Sequence, residues 1–432
     1  MSTDIEALYR AFDPSPLQAP EQSGLYVDLD DVRGQSAIVH KLAQRIRLSD
    51  RPTCQILAGH RGSGKTTELY RLQADLESDA GKCFVVFCDT GTDIDRNDVD
   101  FPDLLIAIVR QLAGQLDQHA GIKLKPGFFK DRLQRIQELL GSEIDFQGFE
   151  LGADMVKVAG AIKGSPDARR EIRKALEPDT SNLLNAANDL IGEAKLELKD
   201  RGYSDLAIII DDLDKMALRV MPETGCTTGE YLFLHRERQL AGFQCHTVYT
   251  MPLALAYSHR EQMIANQYGG RIPVVPMVKM FSPPPESKPH EPGLKAFRDL
   301  IQRRVEKADA TMNDVFKSNN VITELIKLSG GQPRELMIIM REAIVGGDLP
   351  IDKPAIERAT RDVRRAYARQ LRGEHWPIID QVQRTGMIER TEENDELVRE
   401  LLDSRAILQY VNDDEWYGVN PVLPPQPNQN QT

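Results

Sequence analysis

The stretch GHRGSGKTT, residues 59 to 67, lies between the apolar run CQILA and the helix-like ELYRLQADLE. It places three glycines around one lysine. Glycine loses more conformational entropy on ordering than any other residue, so a loop of this kind is ordered only where bare backbone is needed. Phosphate is the ligand that such backbone suits, because successive N–H groups converge on one anion.

The stretch fits the pattern G-x-x-x-x-G-K-[ST], with Gly59, Gly64, Lys65 and Thr66 at the fixed positions. This pattern predicts that Lys65 reaches the β- and γ-phosphates of a nucleotide and that the Thr66 hydroxyl ligates Mg²⁺. A helix beginning at this point adds the positive end of its dipole. The predicted nucleotide-binding residues of the loop are Gly59, His60, Arg61, Gly62, Ser63, Gly64, Lys65, Thr66 and Thr67, with His60 at a variable position.

The composition is that of a globular chain of two or three domains, with 432 residues, 41% hydrophobic and 28% charged. A net charge of −12 gives no overall attraction to nucleic acid, so a DNA contact would have to be local. Neither a signal peptide nor a membrane-spanning run is evident, and we expect a cytoplasmic protein with no membrane partner. The five cysteines are scattered, as expected of buried small hydrophobic residues.

Five short apolar runs alternate with helical or loop material: TCQILA (53–58), CFVVFCD (83–89), LAIIID (206–211), HTVYTM (246–251) and IPVVPMV (272–278). Near-continuous apolar strands separated by helices predict a parallel sheet covered on both faces. We therefore predict an α/β fold of the P-loop NTPase class, with a three-layer parallel sheet.

The rest of the chain predicts a helical insertion, a lid and a winged-helix-like domain. QRIQELL and the sequence around it indicate helices between the second and third strands, and FSPPPESKPHEPG indicates a linker. Near the end, ELVRELLDS is followed by two strand-like runs joined by NDDE, the order of a winged helix. The predicted domains are an N-terminal extension and adenine-side segment (1–34), an ATPase domain (35–280) with a helical insertion (about 115–200), a linker (281–293), a lid of three or four helices (294–372), a winged-helix-like domain (373–423) and a disordered tail (424–432).

An acidic turn follows the third apolar run in LAIIIDDLDK. A phosphate loop needs an acidic Mg²⁺ ligand at the end of a neighbouring strand, and Asp211 holds that position. Asp212 comes next, where a carboxylate would orient or deprotonate the attacking water. We expect Asp214 and Lys215 to pair locally or to cap the next helix.

GHRGSGKTT, IIIDDLDK, TVYTMP and GGQPREL together resemble the AAA+ and STAND superfamily of P-loop ATPases, in particular the branch of origin-recognition-like ATPases and NACHT or NB-ARC switches. The resemblance implies ATP as the nucleotide and Thr250 as a γ-phosphate sensor. It also implies that a lid element touches the nucleotide, formed here by Gly331, Gln332, Pro333 and Arg334. The segment 26–34, YVDLDDVRG, is similar to the family's motif before the first strand, with Arg33 and Gly34 in reversed order.

The departures from the family pattern bear on activity and partners. Asp212 stands where many active members carry the longer glutamate, so we expect slow hydrolysis. STAND proteins usually carry an effector and a repeat array, and this sequence shows neither. A protein partner or further copies of the chain are therefore expected. Arg271 is a candidate arginine finger, with a surface salt bridge as the alternative.

Three functions are consistent with the sequence. The first is an ATP-driven conformational switch or assembly factor acting on a partner supplied in trans. The second is a DNA-binding ATPase that loads or positions other proteins on DNA. It would use the winged helix and a helical arginine stripe formed by Arg361, Arg365, Arg369 and Arg372. The third, a small-molecule kinase, leaves the lid and the winged helix without a role.

Overall fold

The computed structural model describes residues 4–20, 23–34, 37–78, 82–125, 151–222, 224–391, 393–412 and 414–426. The chain divides into two compact units. The first unit contains Met1–Ile38, Gly59–Arg71 and Val274–Thr432, and the second contains Val39–Ala58 and Leu72–Pro273. The phosphate loop therefore groups with the segments predicted as lid and winged helix, whereas the acidic turn lies in the second unit.

The elements are labelled in chain order. The strands are β1 (Cys54–Gly59), β2 (Cys83–Asp89), β3 (Asp205–Asp211), β4 (His246–Pro252), β5 (Val274–Val275), β6 (Ile407–Val411) and β7 (Glu415–Val419). The α-helices of the described residues up to β5 are α1 (Ile5–Ala11), α2 (Asp30–Arg33), α3 (Ile38–Arg47), α4 (Lys65–Glu77), α5 (Thr90–Asp93), α6 (Phe101–Gln115), α7 (Leu151–Gly164), α8 (Pro166–Leu176), α9 (Thr180–Asp200), α10 (Thr228–Glu230), α11 (Glu237–Leu240), α12 (Leu253–Ala256) and α13 (Glu261–Gln267). Those after β5 are α14 (Glu291–Lys307), α15 (Met312–Val315), α16 (Asn319–Leu328), α17 (Pro333–Val345), α18 (Lys353–Gln370), α19 (Trp376–Thr385) and α20 (Asp395–Asp403).

The central sheet has five strands in the order β2-β3-β4-β1-β5. β3 pairs in parallel with β2 and with β4, and Ile208–Ile210 at its centre are fully buried. Helices flank this sheet, which confirms the predicted α/β fold of the P-loop class. The fifth strand is only Val274–Val275, shorter than the predicted 272–278. Pro273 and Pro276 flank it, and proline has no N–H to donate to a ladder.

Within the predicted insertion, residues 121–125 are described without secondary structure, and the described residues from 151 to 200 are mostly helical. α7 and α8 follow one another and pack on α6, and α9 leads into β3. α8 begins at a Ser165 cap with Pro166 in its first turn, a favoured start for a helix. The predicted helix in QRIQELL lies outside the described residues.

Between β5 and α19, the described residues form five helices, α14 to α18, in the part of the chain where a lid of three or four helices was expected. The first of them begins at Glu291, inside the segment predicted as linker, because Pro292 is tolerated in a first turn. The N-terminal helix α1 joins their core, with Leu8 and Phe12 fully buried in it. Helix α1 therefore belongs to the hydrophobic core that the helices α14 to α18 form.

The last elements of the first unit follow the helix, helix, hairpin order of a winged helix. β6 and β7 pair antiparallel with Tyr410 opposite Trp416, and these two rings stack with their centroids 4.5 Å apart. Asp413 in the predicted NDDE turn and residues 427–432 of the predicted tail lie outside the described residues. Among the described helices, none is long and apolar enough to cross a membrane.

Candidate functional site

The glycine-rich loop joins the end of β1, at Gly59, to the start of α4, at Lys65. Gly64 has a φ of +101°, a conformation that side chains with a Cβ rarely adopt. A Cβ there would also lie 3.0 Å from the Arg33 guanidinium. The strand, loop, helix order is the one that the phosphate-binding pattern requires.

Lys65, predicted to reach the phosphates, lies buried over the loop. Its ammonium donates hydrogen bonds of 2.7 Å to the Gly59 carbonyl and 2.8 Å to the His60 carbonyl. Thr66 and Thr67 are half-buried in the first turn of α4, and the Thr67 hydroxyl accepts a 3.3 Å hydrogen bond from the Leu17 N–H. The Lys65 ammonium, which would pair with a bound phosphate, thus lies next to the loop backbone whose N–H groups would bind that phosphate.

Arg33 lies in the segment YVDLDDVRG before β1, and its side chain connects the phosphate loop to α4. It is 2% exposed and donates to the Ser63 carbonyl at 2.6 Å and to the Glu68 carboxylate at 2.8 Å. Glu68 also accepts from Arg71 at 2.8 Å, and Arg71 lies over the Tyr26 ring at 4.7 Å. The segment predicted to contact adenine therefore contains a side chain that positions the loop.

The predicted lid element also lies at the phosphate loop. The N–H of Arg334, in the first turn of α17, approaches the Gly62 carbonyl at 3.5 Å. Pro333 is the first residue of α17, and Gln332 before it is fully buried. Of the two residues assigned to nucleotide contact, Arg334 is exposed and Pro333 is half-buried.

The winged-helix hairpin contacts the same loop through His60. The Gln409 N–H in β6 donates to Nε2 of His60 at 2.9 Å, and the Gln409 carbonyl accepts from the Met277 N–H at 3.1 Å. Burial, together with the charges of Lys65 and Arg405, lowers the pKa of His60 from 6.5 to about 3. His60 is therefore a neutral acceptor at neutral pH.

Three carboxylates lie together in the acidic turn of the second unit. Asp211, Asp212 and Asp214 are buried, and one oxygen of each lies within 4.8 Å of the others. The Thr90 hydroxyl fixes the end of β3 by donating to the Asp211 carbonyl at 2.7 Å. Oxygen is the ligand type that Mg²⁺ prefers, so this set of three carboxylates fits the predicted cation.

Asp212 is held by two cations. Its carboxylate pairs with Arg96 and with Lys215, and its backbone has a φ of +76°. A positive φ in a residue other than glycine stores strain and is concentrated at functional sites. The candidate base is thus a buried carboxylate whose charge is shared with two side chains.

Thr250, the predicted γ-phosphate sensor, is fully buried at the end of β4. Its hydroxyl accepts a 3.1 Å hydrogen bond from the Leu213 N–H, directly after Asp212. In this structure its side chain positions the acidic turn.

The arginines proposed to act at interfaces lie on the surface. Arg271 is exposed and makes no ion pair with the described residues. In the helical stripe, Arg365 pairs with Asp362 and Arg372 pairs with Glu400. The other two, Arg361 and Arg369, are exposed on α18 without an ion pair to any described residue.

Comparison with solved structures finds proteins of the resembled type. A Walker-type ATPase of Pyrococcus abyssi is 16% identical, with a TM-score of 0.46 over 95% of this chain and 98% of that chain. The Aeropyrum pernix ORC2 protein, in ADPNP-ADP complexes, is 14% identical, with a TM-score of 0.41 over 96% and 94%. The Aeropyrum pernix ORC1 protein, in complex with DNA, is 13% identical, with a TM-score of 0.37 over 90% and 91%.

No protein-family model matches the chain, and no curated protein matches it. Because these TM-scores are all below 0.5, the fold assignment rests on this chain's own strand order and phosphate loop. The chain has the α/β architecture of a P-loop NTPase.

Four residues with clear roles in the site geometry carry no sequence signal of their own: Arg96, Arg405, Gln409 and, in its contact with Ser63, Arg33. Each contacts or acts on a residue that is distant in the sequence. Gln409 and His60 are 349 positions apart, and Arg96 and Asp212 are 116 positions apart. Of these four residues, Arg33 lies in a segment that resembles a family motif, YVDLDDVRG, but the motif does not indicate its contact with Ser63.

Proposed function

We propose that the chain is an ATP-binding P-loop ATPase that acts as a nucleotide-controlled conformational switch or assembly factor for a partner supplied in trans. The observation that carries the proposal is the hydrogen bond from β6 to His60. The nucleotide-binding loop and the winged-helix hairpin share a buried contact, so a ligand that changes the loop also changes the free energy of that contact.

The chemistry of binding follows from the loop. Its backbone N–H groups, the Lys65 ammonium and the start of α4 bind the phosphates, and Arg334 adds a lid contact. Thr66 and Asp211 are the residues that would hold Mg²⁺, and this ion would neutralise the charge of the β- and γ-phosphates. Asp212 orients the attacking water, and Thr250 keeps the acidic turn in place.

Nucleotide favours the closed arrangement, in which β6 lies on the loop. A ligand shifts two states only through contacts that differ between them. The side chain of Arg334 lies beside Gly62 of the loop, and Arg405 acts electrostatically on His60, so both supply positive charge near bound phosphates. Hydrolysis or exchange removes part of this attraction and releases the hairpin.

Slow turnover is part of the proposal. The carboxylate that would orient water is short, buried and paired with Arg96 and Lys215. A switch needs long-lived states, and turnover below about 1 per second lies at the low end of enzyme rates.

The test is ATP binding and hydrolysis by purified full-length protein and by Lys65→Ala. Loss of an ammonium that pairs with phosphate is expected to lower ATP affinity at least about thirtyfold, since truncating one partner of a buried charge pair costs about 2–5 kcal/mol. The exposed Lys41→Ala is the matched control and should bind as the wild type does. Equal ATP affinity in all three proteins would refute the assignment of the phosphate loop.

The partner is tested by size measurement with and without Mg-ATP. We expect assembly, with further copies of the chain or with a second protein from the native host, to involve the insertion at about 115–200. A variant without that insertion should retain ATP binding and lose assembly. A chain that stays monomeric and captures no protein in either state would contradict the assembly role.

A second candidate is a DNA-binding ATPase, favoured by the exposed Arg361 and Arg369 on α18. These two side chains make no ion pair with the residues that the structure describes, so they are available to phosphates, and such binding weakens steeply with salt. Low-salt binding to duplex DNA that Arg361→Gln and Arg369→Gln both weaken would favour this candidate.

A further inference from the structure

We infer that Arg96 restrains the Asp212 carboxylate and that helices α7 and α8 set this restraint by holding the loop of residues 90–98. The inference rests on the proposed ATPase function and adds a site of control within the second unit. Arg96 is a positioning residue in this account, because it acts on the reaction only through Asp212.

The contact between Arg96 and Asp212 is close and asymmetric. The Asp212 side chain is 6% exposed, whereas that of Arg96 is 48% exposed. Gly91 lies against both, and a Cβ at Gly91 would stand 2.5 Å from the Asp212 carboxylate and from the Arg96 guanidinium. The loop therefore approaches the acidic turn through a position at which only glycine fits.

Two arginines of α8 hold the acidic side chains that flank Arg96. Arg169 is 3% exposed and donates to Asp95 at 3.0 Å and to Asp98 at 2.9 Å. Arg173 donates to Asp98 at 2.8 Å. Charge-assisted hydrogen bonds of this kind are about twice as strong as neutral ones. Arg96 thus lies between two residues that are fixed to one helix.

α7 holds the start of the same loop. The ammonium of Lys163, near the end of this helix, donates to the Gly91 carbonyl at 2.7 Å and to the Thr92 carbonyl at 3.0 Å. On the far side of the loop, the Ala217 N–H donates to the Arg96 carbonyl at 2.8 Å. A displacement of α7 or α8 therefore moves the loop relative to Asp212.

The consequence for the reaction is electrostatic and geometric. Two cations occupy the Asp212 carboxylate, so fewer of its lone pairs and less of its charge are available to orient a water molecule. A state in which Arg96 has withdrawn leaves Lys215 as the one remaining cation of the described pairs. A ligand that binds the displaced arrangement of α7 and α8 more tightly would shift the population toward this more active state.

The first test compares ATP turnover of full-length wild type, Arg96→Gln and Arg96→Lys, with Arg170→Gln as the matched control. Arg170 lies beside Arg169 on α8 with its side chain 75% exposed and pairs only with nearby Asp167 among the described residues. We expect Arg96→Gln to raise kcat by about fivefold with little change in KM, in line with the upper range for a partly exposed ion pair. Arg96→Lys keeps the charge and should stay near the wild-type rate, as should Arg170→Gln.

Unchanged or lower turnover in Arg96→Gln, with ATP affinity intact, would overturn the inference and leave the proposed ATP-binding function standing. Failure of the proposed function is distinct, because it appears as loss of ATP binding in the wild type itself. The same activation by Arg170→Gln would also overturn the inference, since a general loosening of α8 would then explain it.

The second test uses Lys163→Gln, which removes an exposed anchor of the loop without opening the core. We expect faster hydrogen exchange of amides in residues 90–98, together with a smaller rise in turnover than in Arg96→Gln. In the double variant with Arg96→Gln, the Lys163 change should add nothing to turnover. Two results would show that α7 and α8 do not act through Arg96 and would overturn their part in the control. One is faster exchange in Lys163→Gln without a rise in turnover, and the other is a double variant in which the two increases in turnover add fully.

Discussion

The backbone N–H of Gln409 donates a 2.9 Å hydrogen bond to Nε2 of His60, inside the phosphate loop. Both residues are buried, and the contact joins positions 349 apart in the sequence. An accepting Nε2 requires the tautomer with its proton on Nδ1. Because a buried N–H without a partner costs about 1–3 kcal/mol, the hairpin and the loop favour one another's positions.

The first prediction concerns pH. The pKa of His60 falls from 6.5 to about 3 on folding, so the unfolded chain takes up a proton that the folded chain excludes. Stability is therefore complete above about pH 6.5 and is lost as pH falls toward 3. Between about pH 7.5 and about pH 5.5, urea unfolding should show a loss about 1.4 kcal/mol larger for the wild type than for His60→Gln. Equal losses would contradict the buried neutral state.

A second prediction addresses Arg33. Arg33→Met removes the buried contacts to Ser63 and Glu68, although Glu68 keeps Arg71. We expect a loss of about 3 kcal/mol in the free energy of unfolding, the lower end for breaking a buried ion pair, and weaker ATP binding. Arg10→Met, which breaks an exposed pair, is the control and should stay within about 0.5 kcal/mol. If the two variants behave alike, Arg33 does not position the loop.

Thr250 is predicted to act through its hydroxyl. Thr250→Val leaves the Leu213 N–H buried and unpaired, which should destabilise the protein by about 1–3 kcal/mol and lower turnover. Thr250→Ser keeps the acceptor and should retain most of both. Thermal unfolding and steady-state hydrolysis measure the two effects. Wild-type values for Thr250→Val would leave the hydroxyl without a role.

The two adjacent aspartates should separate by function. Asp212→Asn keeps the shape of the side chain but weakens its hold on water, so Mg-ATP binding should persist while turnover falls. Asp211→Asn should instead weaken the Mg²⁺ dependence of binding. Titration of ATP affinity against Mg²⁺ distinguishes the two variants. If Asp212→Asn turns over normally and Asp211→Asn alone abolishes activity, Asp212 is structural.

The sheet and the phosphate loop could be predicted from the sequence because each is marked by a short continuous stretch of residues. β1 to β4 are apolar runs that need no partner to be recognised, and the lysine-containing glycine loop has a fixed spacing. β5 is shorter than expected because Pro273 and Pro276 end its ladder.

The contacts that connect the elements were not predictable in the same way. Gln409 acts through its backbone N–H, which every residue except proline possesses, so no residue type marks the contact. Arg96 lies in a loop that is rich in acidic and basic residues, and such a sequence is typical of a solvent-exposed surface. Its role depends on the register of the loop against α8, which only the folded chain defines.

The most direct measurement of the central claim is hydrogen exchange of the β6 amides, Ile407–Val411, in the wild type and in Lys65→Ala, each with and without Mg-ATP. If nucleotide at the phosphate loop controls the hairpin, Mg-ATP will slow exchange of these amides in the wild type and leave Lys65→Ala unchanged. Wild-type protein that binds ATP but exchanges its β6 amides at the same rate or faster would contradict the account.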